Sequence, residues 1–184
     1  MKRLLLLMLL LFSGGGWAAC TVSTVNASFG SVTSFALSGT GEVQTTGTLV
    51  VACDAVLNLL TSDSVTLTYT AASVSGSSRA TMKRTAITDV IPTRLCGLSG
   101  CASSSEVQIS KSYTWSGSTL LGLLGSKQYN IPLYFRTVAG QNVTAGPYQV
   151  QLTFSINYSV CSVGALGICT INQTGTATTT ILLD

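Results

Sequence analysis

The chain has 184 residues, of which 46% are hydrophobic, only 8% are charged and none is histidine. Soluble domains average about 25% charged residues, and so apolar a composition with so little charge excludes a disordered chain. A formal charge of +3 excludes a protein that binds nucleic acid through clustered Lys and Arg. The lack of histidine excludes Ser-His-Asp and Cys-His nucleophilic sites and histidine-based metal sites.

Residues 1–19 have the pattern of a secretory signal peptide. Two basic residues precede the apolar run Leu4–Phe12, and small residues follow it, so we expect cleavage after Ala18, or alternatively after Ala19. The apolar run is too short to span a membrane. A lipoprotein cleavage box ending at Cys20 is an alternative, but it would leave an odd number of cysteines in an oxidising compartment.

The mature domain, residues 20–184, is dominated by alternation of apolar and polar residues, the pattern of half-buried β-strands. Thr48–Cys53 is more continuously apolar, as expected of a central strand. Alternating segments follow at Val65–Thr70, Val107–Trp115 and Tyr129–Val138. Because proline cannot donate to a strand ladder, Pro132 demotes part of the last segment to an edge or a bulge.

The clearest alternation is Tyr148–Tyr158, in which six apolar side chains share one face. Thr176–Leu183 is a final strand of threonine and aliphatic residues. No segment has a convincing helical stripe, and neither an internal repeat nor a linker is visible. The sequence therefore predicts one domain, an all-β sandwich of about seven or eight antiparallel strands.

Six cysteines in an exported chain predict three disulfide bonds. Their spacing favours three pairs: Cys20 with Cys53, Cys96 with Cys101, and Cys161 with Cys169. The last two pairs each close a short predicted loop, and the first ties the first strand to another. No cysteines have the CxxC-type spacing of a metal site, so we expect neither a metal nor a cofactor.

The six acidic residues are scattered singly: Glu42, Asp54, Asp63, Asp89, Glu106 and Asp184. A glycosidase would need two of them to converge, and we interpret them as solvated loop residues. Arg79, Lys83 and Arg84 form the one basic cluster, which we interpret as an exposed loop rather than a phosphate site. We therefore predict a protein without catalytic residues.

Three apolar segments fall in predicted loops. The candidate contact residues in them are Leu57, Leu59, Leu60, Leu120, Leu121, Leu123, Leu124, Val163, Leu166 and Ile168. Loops run over protein surfaces, and exposed apolar clusters mark interaction sites. Alternatively these residues cap the two ends of the sandwich, or Leu59-Leu60 and Leu123-Leu124 begin strands. The segment between Cys161 and Cys169 is the best candidate for a contact loop.

Several short motifs, taken in order, resemble the spore coat protein U domain, the pilin-type domain of archaic chaperone–usher pili and related coat proteins. They are Cys20-Thr21-Val22, Ser28–Val32, Leu49–Cys53, Gly76–Arg79 with Met82, and Thr144–Tyr148 before the long alternating strand. The resemblance covers about residues 20–160. It departs from the family at Gln149-Val150, where Thr-Asp is common, and in the added tail Cys161–Asp184, which is similar to the distal domain of two-domain tip subunits.

The resemblance implies an immunoglobulin-like sandwich that lacks one strand, which leaves an apolar groove and an unpaired edge. A periplasmic pilus chaperone fills the groove, and at the outer-membrane usher a neighbouring pilin subunit donates a strand instead. At most Ala19 precedes Cys20 in the mature chain, so we expect it to accept a strand without donating one. That places it as a tip or minor pilus subunit, secreted through the periplasm to the cell surface.

The expected role is attachment or biofilm formation, with an apolar surface or host receptor as the further partner. One alternative is a self-complete secreted coat domain in which Thr176–Leu183 fills the groove. Another is a carbohydrate-binding sandwich, for which Tyr113, Trp115 and Tyr129 are the stacking candidates.

Overall fold

The computed structural model describes residues 20–58, 63–85, 87–116, 125–165 and 168–184, with side chains for all of these except 54–58, 125–127, 162–165 and 170. The predicted signal peptide lies outside the described residues. The described strands are β1 (Thr21–Val25), β2 (Gln44–Asn58), β3 (Ser64–Ala72), β4 (Ser75–Gly76), β5 (Arg79–Lys83), β6 (Val90–Cys96), β7 (Ser112–Ser116), β8 (Gly125–Thr137), β9 (Val150–Ala165) and β10 (Ile168–Leu183).

Two short helices that the sequence analysis missed complete the described elements: α1 (Ser34–Ser38) and a 3₁₀ helix (Ser103–Ser105). Thr33 begins α1, since its hydroxyl oxygen accepts a hydrogen bond of 3.2 Å from the backbone N–H of Ala36. Within the described residues, neither helix has the length or apolar content needed to cross a membrane.

The strands form two antiparallel sheets, and the arrangement is an immunoglobulin-like sandwich, as predicted. The first sheet has the order β1-β2-β8-β6-β5-β4, and the second has the order β10-β9-β3-β7. The alternation read from the sequence is confirmed, because the inward residues of the facing sheets are buried. They include Leu49, Val51, Leu133 and Phe135 from the first sheet, and Val65, Leu67, Leu152, Phe154 and Ile156 from the second.

The two sheets are joined at one end by β2. A register shift separates Cys53 from Val56 in the pairing with β8. Beyond it, Leu57 and Asn58 pair in parallel with Val163 and Gly164 of β9. At this end of the sandwich β2, β7 and β9 finish, and β3, β8 and β10 begin. We call it the joined end, and we call the opposite end the far end.

Pro132 makes part of β8 an edge, as predicted. β8 lies between β2 and β6, but β6 pairs with it only from Tyr134 to Thr137. Pro132 therefore faces β2 alone, and its missing donor is tolerated there. Another strand prediction needs correction. The strand predicted from Val107 begins only at Ser112, because Ser110 takes a left-handed conformation with φ 68° in a turn that precedes it.

β10 contributes two side chains to the core, Ile181 and Leu183, both fully buried. Replacing Ile181 with Ala is expected to lower the free energy of unfolding by about 2–4 kcal/mol, since the lost methyl groups leave a cavity. Leu182 is the control, because its side chain is partly exposed on the opposite face of β10 and Leu182→Ala should cost less than about 1 kcal/mol. Urea unfolding of the oxidised chain measures both. Equal losses would contradict the observed register of β10.

Candidate functional site

The three segments predicted to be apolar loops connect strands whose ends all lie at the joined end. Val56 of β2 pairs with Gly125 at the start of β8, and Ser64 at the start of β3 pairs with Ser116 at the end of β7. The end of β9 pairs with the start of β10. Because neighbouring antiparallel strands exchange direction at the same edge, residues 59–62, 117–124 and 166–167 all connect strands at this end.

The structure gives a side-chain position for one of the ten predicted contact residues. Ile168 is 72% exposed, and Ile171, which the sequence analysis did not single out, is 49% exposed. Leu57 and Val163 lie in strands and pair with each other, so the expectation of a loop is wrong for them. The others lie outside the described residues: Leu59, Leu60, Leu120, Leu121, Leu123, Leu124 and Leu166.

The segment between Cys161 and Cys169 is mostly strand rather than the predicted loop, because β9 continues to Ala165 and β10 begins at Ile168. The structure joins these two cysteines in a disulfide bond, and it also joins Cys20 with Cys53 and Cys96 with Cys101. These are the pairs that the spacing favoured. The Cys161–Cys169 bond clasps the β9–β10 hairpin at the joined end and gives the exposed apolar residues there a rigid support.

A buried carboxylate anchors the strands under the joined end. Asp63 is 3% exposed and accepts a hydrogen bond from the Tyr129 hydroxyl of β8 and one of 2.9 Å from the Cys161 N–H of β9. Burial of a charge without partners is costly, and these donors offset that cost. Burial, the hydrogen bond to Asp63 and the negative charge of Asp63 together raise the pKa of Tyr129, so its hydroxyl keeps the proton that it donates.

The aromatic residues considered for sugar stacking do not form an exposed platform. Trp115 and Tyr129 are buried in the core. Tyr113 is partly buried against Trp115, with 4.9 Å between ring centroids. The expectation that these three residues stack on a carbohydrate is therefore wrong, because their rings already pack inside the sandwich.

The charged residues form a network on the first sheet. Glu106 accepts from Arg79 at 2.6 Å and from Arg94 at 3.0 Å. Glu42 accepts from Arg94 at 2.8 Å and from Arg136 at 3.1 Å. Arg94 thus lies between the two carboxylates, which is an ion-pair arrangement rather than an acid–base pair. The described residues contain no group of three or more side chains that could ligate a metal ion.

The predicted basic cluster does not converge on one point. Arg79 is committed to Glu106, whereas Arg84 donates through Nη1 to the backbone carbonyl of Ala145. The guanidinium of Arg84 packs against Gly146, where a Cβ would collide with it. Two of the three basic side chains therefore have separate protein partners.

Acid should weaken this network. Burial alone would raise the pKa of Glu106, but hydrogen bonds and charge from Arg79 and Arg94 lower it below its ordinary value of 4.5. A carboxyl whose pKa is lower in the folded state stabilises the fold above its unfolded-state pKa, and this contribution is lost as the pH falls through the folded-state pKa. At pH 7, Glu106→Gln should lower the free energy of unfolding by about 1–3 kcal/mol.

The difference between wild type and Glu106→Gln should shrink below pH 4.5, because the wild-type carboxyl then also becomes neutral. Urea unfolding at pH 7 and at about pH 3 measures this change. A difference that stays constant with pH would show that the charge of the Glu106 carboxylate contributes nothing to the free energy of unfolding.

β10 occupies the strand position that the family resemblance implied to be empty. On one side it pairs with β9, and on the other it contacts the segment that follows β1. Ala27 donates to the carbonyl of Leu182 at 3.1 Å and accepts from the N–H of Asp184 at 3.2 Å. Past the end of β10, at the far end, a groove of about 760 Å³ remains, lined by Phe29, Met82 and Tyr148 among others.

Comparison with solved structures finds a similar fold in one chain and a weaker similarity to a second. One match is a chain in the crystal structure of the CsuC–CsuE chaperone–tip adhesion subunit pre-assembly complex from archaic chaperone–usher Csu pili of Acinetobacter baumannii. Its TM-score is 0.51 and its identity is 19%, over 90% of this chain and 60% of that chain. The present chain thus spans about 60% of the length of that protein.

A second match is the CooA pilin subunit from enterotoxigenic Escherichia coli, with a TM-score of 0.45 and 14% identity, over 89% of this chain and 97% of that chain. No curated protein sequence matches the chain. The family model of the Spore Coat Protein U domain matches residues 11–155, which extends from the predicted signal peptide into β9. The match covers well over half of the sequence, and the chain belongs to the spore coat protein U domain family.

Proposed function

We propose that the chain is a secreted, non-catalytic structural and adhesive subunit of the cell surface, which attaches through the apolar segments at the joined end. The observation that carries the proposal is that the strand ends flanking all three apolar segments lie at this one end. The exposed Ile168 lies there too. Grouped apolar residues at a surface are typical of a site that binds another apolar surface, here an abiotic surface or a host receptor.

Within a pilus, this subunit is a tip or minor subunit, and its joined end faces outward. The far end then faces the rest of the fibre. Its partners there are a periplasmic chaperone, the outer-membrane usher and a neighbouring pilin that donates a strand. Membership of the family and the fold shared with a chain of a chaperone–tip subunit complex support these partners.

Strand donation requires β10 to leave its place beside β9. Most inward-facing residues in the first part of β10 are small, and Gly175, Ala177 and Thr179 are only half-buried there. The groove beyond Asp184 is open, so an incoming strand could contact the domain before β10 departs. A donor with larger apolar side chains would bury more surface than β10 does.

A second candidate function, a self-complete secreted coat domain, is supported by the position of β10 itself. The ladder with β9 runs through to Leu183, and Ile181 and Leu183 fill the core. In this form the domain folds and acts without a chaperone or a donated strand.

Removal of residues 174–184 tests whether β10 completes the fold. The full chain, expressed in a periplasm, is expected to be stable and soluble with three disulfides in the absence of a chaperone. The truncated chain keeps Cys169 but loses Ile181 and Leu183, so it should aggregate unless a peptide of residues 174–184 or a pilus chaperone is supplied. Size-exclusion chromatography and non-reducing mass measurement distinguish these outcomes.

If the full chain also needs a chaperone, β10 does not complete the sheet in solution, and the strand-acceptor form of the proposal holds. If the truncated chain is soluble alone, the β10 position is dispensable, and both forms of the proposal fail. A soluble full chain that also binds a donor peptide, with β10 displaced, would support exchange.

Attachment to apolar surfaces tests the adhesive proposal. A variant with Leu121→Ser, Leu124→Ser and Ile168→Ser should lose most of its binding to a hydrophobic surface, since these changes remove apolar side chains from two of the proposed contact segments. The matched control is Phe35→Ser, because Phe35 is 85% exposed in α1, toward the far end. The two variants and wild type are compared by their binding to hydrophobic beads in moderate salt. Thermal unfolding checks that each variant is folded.

We expect the control to bind like wild type and the triple variant to fall to the level of an unrelated sandwich domain. If Phe35→Ser weakens binding as much as the triple variant, attachment does not depend on the joined end. If neither variant changes it, the apolar segments are not the contact surface.

A further inference from the structure

The edge of β10 that points away from β9 has unpaired backbone groups along its middle. The N–H of Leu182 donates to the Asn26 side chain at 3.0 Å, and the carbonyl of Thr180 accepts from the Thr24 hydroxyl at 2.7 Å. Even-numbered residues therefore direct their N–H and C=O groups away from β9. The ladder with β9 has no register shift between Asn172 and Leu183, so Thr174, Thr176 and Thr178 do the same.

Among the described residues, no group pairs with the outward backbone groups of Thr174, Thr176 and Thr178. An exposed row of this kind is a template for pairing with another strand, and proteins usually protect it with charges, proline or a bulge. The chain carries no Lys, Arg, Asp or Glu from residue 137 to residue 183, and β10 contains no proline. The register shifts of β10 lie only near Ile171, outside this row.

The outer face next to this edge is also uncharged. The even-numbered side chains of β10 from Thr174 to Leu182 pair with polar side chains of β9. β9 in turn pairs with β3, and β3 pairs with β7. One row across the four strands is Thr176, Asn157, Thr66 and Thr114, and the next is Thr178, Ser155, Thr68 and Ser112. Hydrogen bonds link members of these rows, such as Thr66 with Thr114 at 2.8 Å and Thr176 with Asn157 at 2.6 Å.

The residues of the free edge are suited to pairing with the same strand of a second molecule. With a two-fold axis at Thr176, antiparallel pairing places Thr174 opposite Thr178, and Thr176 opposite itself. Each of these pairs directs backbone groups toward the other strand, so the hydrogen-bonding pattern of an antiparallel ladder is satisfied. Threonine pairs across strands are favourable, whereas like charges there would repel.

The inward side of the same register is small as well. Gly175 would lie opposite Ala177, and both face the interior beside Tyr158 and the start of β1. Tyr158 already packs so closely on Gly175 that a Cβ there would collide with its ring. Gly175 and Ala177 themselves add no large side chain on this side, and the Tyr158 hydroxyl that lies beneath Gly175 is held by the carbonyl of Cys20 at 3.3 Å.

We propose that this edge is a self-association site, at which β10 pairs antiparallel with β10 of a second copy of the chain about a two-fold axis at Thr176. The second sheets of the two copies then form one continuous eight-stranded sheet, of the order β7-β3-β9-β10 followed by its symmetry mate. The interface is isologous, since each copy contributes the same strand. It goes beyond the attachment function, because neither the joined end nor strand donation takes part in it.

The test is sedimentation velocity on the oxidised chain, residues 20–184, from micromolar to millimolar concentration. Wild type should show a reversible monomer–dimer equilibrium. Thr174→Lys with Thr178→Lys places lysine opposite lysine in the proposed register and should raise the dimer dissociation constant at least about tenfold. Thr174→Lys with Thr178→Glu places opposite charges face to face and should restore dimerisation to within about threefold of wild type.

Both positions are exposed on the outer face, so the two double variants should unfold at the same temperature as wild type, which circular dichroism checks. Ile168→Ser is the second control, because it removes apolar area at the joined end and should leave the dimer intact. A wild-type chain that stays monomeric throughout the series overturns the proposal. Three other results also overturn it: both double variants weaken the dimer equally, the Lys pair leaves the dimer unchanged, or Ile168→Ser abolishes the dimer.

Discussion

The pairing of β10 with β9 is the interaction on which the other features of this sandwich depend. It extends the second sheet to its last strand, and it brings Ile181 and Leu183 into the core. The segment after β1 has its backbone hydrogen bonds with Leu182 and Asp184, so this segment too is held by β10. If β10 were absent, the sandwich would have an open groove between that segment and β9, and buried apolar side chains there would meet water.

The joined end is built differently from the rest of the sandwich. There β2 leaves one sheet and pairs with the other, so the sheets are linked by backbone as well as by side-chain packing. Two disulfides lie nearby, and Asp63 connects three strands beneath the surface. Such a base fixes the positions of the strand ends that flank the three apolar segments.

Much of the fold was predictable because burial alternates with period two. The alternation in Tyr148–Tyr158 and Val65–Tyr69 identifies the inward faces of β9 and β3 from residue types alone. Pro132 correctly indicated a part of β8 with a paired strand on one side alone. That β6 pairs with the rest of β8 could not be predicted, since strand lengths depend on tertiary structure. The turn at Ser110 was also missed, because a left-handed serine has no distinctive sequence signal.

The candidate site was only partly accessible from sequence. The apolar segments could be found one by one, but the position of their flanking strand ends at one end of the sandwich follows from strand order, which long-range pairing decides. Asp63 appeared as an isolated loop acid, and its burial depends on Tyr129, 66 residues away in the chain. The extent of β10 was underestimated because the segment between Cys161 and Cys169 was interpreted as a loop, and because Asn172, Gln173 and Gly175 give no apolar alternation before Thr176.

The long β9–β10 hairpin, clasped by the Cys161–Cys169 disulfide, also decides how the domain would respond to mechanical tension. The backbone and the disulfide join the two strands covalently at the joined end, so their ladder can open only from the far end, where Val150 pairs with Leu183. Both of these side chains are buried in the core. Pulling the two strands apart therefore has to expose core residues at its first step.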